Sequence, residues 1–142
     1  IDAVLSEDPT LALWDKLVFI CALSGMTCIC RGSFSEVMDT ASTADLTLRV
    51  VEEAASVGRA VGVKLAPDQV EQTMVRFKRD KGELVSSMYG DLVAGRPLEL
   101  DNLNGAVSSL GRQHGVETPV NDLITACLTV SHRRAVGGAG RN

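Results

Sequence analysis

The stretch STADLTLRVVEEAASVGRAVG, Ser42 to Gly62, sets Leu46, Val50, Ala54, Val57 and Val61 three or four residues apart. That period marks one face of an α-helix, not the alternation of a strand. Ser42 and Asp45 have the spacing of a capping box ahead of the apolar run. Gly62 supplies the stop, because the residue after a helix is so often left-handed.

The same reading extends in both directions. Upstream, Asp8-Pro9 offers an N-cap followed by proline at the first helical position, which predicts a helix reaching about Cys30. Trp14, Val18, Cys21 and Gly25 share one of its faces, and Leu11, Leu17 and Ile20 widen that face, as in a largely buried helix. Arg31-Gly32 ends it, with a short turn expected around Ser35 to Met38. Downstream, a segment opening at Ala66-Pro67 carries Val70, Met74 and Phe77 on one face and closes at Gly82. Leu103, Ala106, Val107 and Leu110 form another stripe that ends near Gly115. Thr118-Pro119 then caps a last helix with Val120, Leu123, Ile124, Cys127 and Leu128 in helical register. Strand signals are nearly absent, so the expected fold is all-α, a multi-helix bundle of five or six helices. Residues 1–142 read as a single domain with a core at about 9–132 and a flexible tail at 133–142.

One connector breaks the pattern. SSMYGDLVAGRPLELDNLNGAV, Ser86 to Val107, is longer than the links usual between helices. Ser86, Ser87 and Asp91 are placed to cap a short helix inside it. Glu99 lies between Leu98 and Leu100, and Asp101 is the better placed of the two acids to favour a following helix N-terminus, with Asn104 starting that helix. Glu99 is left without an obvious structural task. Lys16 is equally conspicuous in LWDKLVFI. A lysine among so many apolar neighbours either snorkels to solvent or sits in a pocket with a lowered pKa.

Composition narrows the functions open to the chain. Its 142 residues carry a net charge of -4, which argues against nucleic acid or an anionic membrane as partner. The aromatic share of 4% leaves no base-stacking platform. The four cysteines (Cys21, Cys28, Cys30, Cys127) form no CxxC pair, and His114 and His132 are distant from them. A zinc site therefore has little support, and the cysteines read as small buried hydrophobes in a cytoplasmic protein. The apolar run KLVFICALSGMTCIC is broken by Ser24 and Gly25 and reads as too short to span a membrane. No nucleophile elbow, phosphate loop or dinucleotide fingerprint is present. The opening IDAVLSEDP, without an initiator methionine, reads as the middle of a longer protein.

Two segments carry a resemblance. LWDKLVF (13–19) together with SSMYGDLVAGRPLELDNLNGAVSSLGRQHGVETPVND (86–122) resembles the C-terminal helical domain of the ketopantoate reductase family, over about residues 11 to 131. The resemblance implies a bundle like the C-terminal domain of 6-phosphogluconate dehydrogenase. It also implies an NADPH-dependent reduction of 2-dehydropantoate to pantoate, on the route to pantothenate and coenzyme A. NADPH would be held mainly by an N-terminal Rossmann domain that this chain lacks, and the chain alone would be inactive. Lys16 matches the family's catalytic lysine, a general acid, and Glu99 its substrate-binding glutamate. Ser87 matches the serine that contacts substrate, with Ser86 beside it.

Two positions depart from the family pattern. Ile20 stands one turn after the lysine and Phe34 follows the first helix, where the family usually has asparagines. An amide's donors and acceptors are lost at both, which implies a more apolar 2-keto acid as substrate. The expected partners are that substrate, the N-terminal domain and a second copy of the chain. The alternatives from other classes are a helical dimerisation or partner-binding module without activity, and a reductase of a different 2-keto acid.

Overall fold

The computed structural model describes residues 8–139, so the first seven residues and the end of the expected tail lie outside the described residues. The helices are α1 (Pro9–Cys30), α2 (Phe34–Asp39), α3 (Ala41–Val61), α4 (Gln69–Asp80), α5 (Ser87–Val93), α6 (Asn104–His114) and α7 (Pro119–Ala139), with a 3₁₀ turn at Leu100–Asn102. Among the described residues there is no strand, and the all-α expectation holds.

α1 is the axis of the bundle. The Asp8 side chain accepts from the backbone N–H of Thr10 at 3.0 Å and of Leu11 at 3.2 Å, with Pro9 in the first turn, so the helix starts where its cap predicts. From Cys21 to Cys28 every residue is buried, because α2, α3, α5 and α7 all pack around this segment. By length and hydropathy α1 would reach across a bilayer, contrary to the reading of its sequence as too short. Of its most apolar 18-residue window 61% is buried within the bundle, as in a core helix.

α3 lies along α1 and buries Val50, Val51, Ala54, Ala55 and Val57. Its start differs from the expected one. The helix begins at Ala41 after Thr40, and Ser42 is exposed, while Asp45 reaches forward to Arg49 at 3.4 Å. The six-residue α2 ends only one residue earlier, so Thr40 serves both helices and leaves no room for a cap at Ser42. The capping box forms at α2 instead, where Ser33 Oγ accepts from Glu36 N and Glu36 Oε2 accepts from Ser33 N. At the far end Gly62 adopts φ 106°, the left-handed conformation expected of it.

The first turn of α4 also moves. Pro67 and Asp68 form a turn closed by Gln69 N–H donating to Ala66 O at 3.0 Å, and Asp68 precedes the helix. Phe77 is its deepest residue, with ring centroids 4.7 Å from Phe19 and 4.8 Å from Phe34. Such pairs add about 0.5–1.5 kcal/mol each beyond the area they bury. Phe34 is thus a core residue, 1% exposed.

On α7 only part of the expected face turns inward. Val120, Ile124 and Leu128 are buried, whereas Leu123 and Cys127 are exposed. The buried line recurs every four residues, so the positions one residue before it fall outside the narrow contact with α1, α3 and α6. The helix also continues through Ala139, past residue 133 where a flexible tail was expected.

Candidate functional site

Lys16, Ile20 and Ser24 follow one another at four-residue intervals on α1, which places them on a single face. Exposure falls along this line: Lys16 is exposed, Ile20 half-buried and Ser24 buried. Of the two fates open to such a lysine, the chain shows the solvent-facing one. Lys16 makes no hydrogen bond or ion pair with any described residue.

The buried end of the line receives the connector. Ser86 Oγ donates to Ser24 Oγ at 3.0 Å and accepts from Tyr89 N at 3.2 Å. Ser86 is therefore the N-cap of α5 and is only 5% exposed. Its hydroxyl is engaged structurally, the outcome that serine before a short helix allows. Ser87 is the first residue of α5 and faces solvent, next to Val85, which is 84% exposed. The two serines proposed for substrate contact thus separate by role: Ser86 anchors and Ser87 is free to reach a ligand.

Glu99 is placed by its neighbours. Leu98 and Leu100 are buried, so the residue between them is turned outward. The backbone N–H of Leu98 donates to His132 Nδ1 of α7 at 2.9 Å, which ties the segment to the bundle. Acceptance at Nδ1 requires the neutral ring with its proton on Nε2. Nothing in the sequence flags this contact, since the partners are 34 residues apart. No hydrogen bond or ion pair joins Glu99 to Lys16 within the chain.

Below this rim lies a buried polar chain. The residue preceding α6 is Leu103, with no side-chain cap, and Asn104 starts the helix as expected, fully buried there. Its Nδ2 donates to Cys21 O at 3.2 Å and to Asn121 Oδ1 at 3.0 Å. Gly25 makes room for it, because a Cβ there would sit 2.8 Å from Asn104 Nδ2. Asn121 Nδ2 in turn donates to Glu53 Oε2 at 2.7 Å, and the N–H groups of Val120 and Asn121 donate to the same carboxylate at 2.8 and 2.9 Å. A negative charge at the first turn of α7 also meets the positive end of that helix. Asp101 makes no such capping contact. The N-G and T-P-V-N elements of the sequence are thus the mortar between α1, α3, α6 and α7, and the exposed Lys16, Ser87 and Glu99 sit on what they hold.

The thiols divide sharply. Cys21 and Cys28 are buried, Cys30 and Cys127 exposed, so the expectation of four buried cysteines holds for two. Burial drives the Cys21 thiol far up. Burial also pushes Cys28 to about 12, against a lowering by Arg31 and with a small addition from Asp91. A thiol-specific reagent at neutral pH is expected to modify Cys127 and Cys30 first, and Cys21 and Cys28 only on unfolding. Mass mapping of the labelled chain checks this, and early labelling of Cys21 would contradict the packing of α1. Among the described residues no three of His, Cys, Asp and Glu gather where they could hold a metal ion.

Comparison with known proteins agrees with this architecture. The family model for the C-terminal part of ketopantoate reductase (PanE/ApbA) matches residues 8–132. A 2-dehydropantoate 2-reductase of Mycobacterium tuberculosis is 33% identical over 131 residues, covering 91% of this chain and 44% of that protein. The chain thus spans less than half the length of such curated relatives. Among solved structures, a ketopantoate reductase from Staphylococcus aureus superposes with a TM-score of 0.85 at 24% identity, over 92% of this chain and 46% of that one. D-mandelate dehydrogenase, solved with NADH and anilino(oxo)acetate, superposes with a TM-score of 0.79 at 25% identity, over 92% of this chain and 72% of that one. With its helices, its connector and nearly its whole length matched, the chain belongs to the ketopantoate reductase family and corresponds to its C-terminal helical domain.

Proposed function

We propose that this chain is the substrate-side half of an NADPH-dependent 2-keto acid reductase acting in the cytoplasm, with the dinucleotide carried by an N-terminal domain. Among the described residues no strand, glycine turn and helix combine to hold a dinucleotide, so the chain's own contribution is to substrate. The observation that carries the reading is the line Lys16–Ile20–Ser24, which runs from solvent to the Ser86 anchor and so brings the start of α5, with Ser87, against the same face of α1. Exposed Leu13 and Val85 flank this surface, as expected where another domain docks.

When bound by the N-terminal domain, NADPH would supply a hydride to the carbonyl carbon. Lys16 donates a proton from its ammonium to the carbonyl oxygen as negative charge develops there, so the product leaves as a 2-hydroxy acid. Ser87 Oγ hydrogen-bonds the substrate, and Glu99 accepts from the lysine once the two domains close. The test is NADPH oxidation by the full-length protein across a series of 2-keto acids. Absence of turnover with every member would leave the non-catalytic module as the better reading. A homodimer is part of the proposal.

The substrate is a more apolar 2-keto acid than ketopantoate, and Ile20 supports this. It is half-buried one turn below Lys16 and offers the substrate no hydrogen bond. Phe34 lends no support, because it is consumed by packing on Phe77. D-mandelate dehydrogenase, similar in fold, was solved with anilino(oxo)acetate, an oxoacid bearing an aryl group, which supports this reading. Ile20→Asn should raise kcat/KM for ketopantoate, relative to an alkyl 2-keto acid without a hydroxyl, by about tenfold or more. An unchanged ratio, or full activity of the native protein on ketopantoate, would remove Ile20 as a selector.

A further inference from the structure

We infer that a second site, for a small soluble anion bearing phosphate groups, lies in the groove where the ends of α1 and α5 meet the last turns of α7. The groove has a volume of about 400 Å³ and is lined by Arg31, Arg96 and Arg134, with Ser131 as a hydroxyl donor and Leu92 and Pro97 as apolar wall. Three arginines line one groove of a chain whose net charge is -4. Arg96 Nε is paired with Asp91 Oδ1 at 2.9 Å. The side chains of Arg31 and Arg134 make no hydrogen bond or ion pair with any described residue, so two fork-shaped donors stand unmatched. A ligand carrying two or more negative charges complements that set, and the planar geometry of arginine suits phosphate oxygens.

Backbone conformation at Arg31 is a separate observation. It is the only non-glycine residue with positive φ among those described, at 55°. A side chain in that conformation costs about 1–2 kcal/mol relative to glycine, the residue helices usually place there. Complementing the negative end of α1 would account for one arginine. It does not account for Arg134, which lies more than a turn before Ala139, or for the convergence of three on one groove. Arg31 is about 22 Å along α1 from Lys16, so the groove is separate from the candidate catalytic face. Arg96 and Pro97 lead directly into Leu98 and Glu99, so a ligand held here is anchored on the connector that carries Glu99.

The experiment is a calorimetric titration of the chain with inorganic pyrophosphate and with phosphate, at constant ionic strength maintained with chloride. Saturable one-to-one binding is expected, tighter for pyrophosphate. Arg31→Gly keeps the left-handed cap, so this variant and Arg134→Ala remain folded, and each should weaken binding about tenfold. Arg112→Ala, outside the groove, should leave binding unchanged. Several outcomes would overturn the inference: no saturation with either anion, binding that survives the double variant, or an equal loss with Arg112→Ala. Binding to phosphatidylserine vesicles without binding to pyrophosphate would also overturn it, since the ligand would then be a surface and not a soluble anion.

Discussion

Replacing Lys16 by alanine in the full-length protein is expected to lower kcat about 100-fold or more, the usual scale for a general acid. Lys16 presents an exposed ammonium without a partner among the described residues, on the face of α1 that leads to Ser86 and Ser87. A purely solubilising lysine would be replaceable, because an exposed side chain away from caps and cores changes stability by less than about 0.5 kcal/mol. Two measurements therefore separate the roles: the melting temperature should stay put while kcat falls. Lys16→Arg should not restore turnover, since a guanidinium keeps its proton and cannot occupy the same point. Near-native kcat in Lys16→Ala would take the proton donor away from this helix and leave the reductase reading without its acid.

Removing the Glu53 carboxylate is expected to have the largest effect on stability. It accepts from Val120 N, Asn121 N and Asn121 Nδ2, all within 2.9 Å. Hydrogen bonds to a charged group contribute about 1.5–3 kcal/mol singly, but Glu53 is partly exposed and water replaces part of what is lost, so Glu53→Ala should destabilise by about 2–4 kcal/mol in total. For a domain of this size that lowers Tm by roughly 6–14 °C. Glu53→Gln keeps an acceptor oxygen and should lose about half as much. Asn121→Ala acts on the next link, stripping Asn104 Nδ2 of one of its acceptors inside the core. Thermal melts of the three variants decide the matter, and a shift within a degree or two for Glu53→Ala would mean that the polar chain is ornamental to the fold. Because Asn104 begins the helix that follows Glu99, the same variants should also loosen the rim, visible as faster amide exchange around Leu98 to Leu100.

The contrast between these two residues shows how the information is distributed. Lys16 stands out in the sequence because a charge inside an apolar run is locally anomalous. Glu53 does not, because a glutamate in the middle of an amphipathic helix looks like any solvated side chain until α7 arrives with its unpaired N–H groups. Ser86 shows the intermediate case: the sequence allows both a cap and a ligand contact, and the hydroxyl's bond to Ser24 resolves it toward the anchor. The reading of Ile20 and Phe34 as equivalent losses fails for the same reason. Both are apolar replacements on paper, yet only packing tells a half-buried side chain on a rim from one wedged against Phe77.

By itself the sequence determined the class of the fold, the start of α1 at Asp8-Pro9, the ends of α3 and α6 at Gly62 and Gly115, and the family, because all of these rest on local propensity or on residue order. Tertiary structure alone decided which face of α7 is buried, that Asn104 at the start of α6 joins Asn121 and through it Glu53, that His132 holds the Glu99 connector, and that three arginines share one groove. Those contacts join residues 17 to 103 positions apart, and no periodicity or motif reaches across such distances. They exist only once burial of the α1 core has brought the helix ends together, which makes them consequences of packing and not of any segment's own preference.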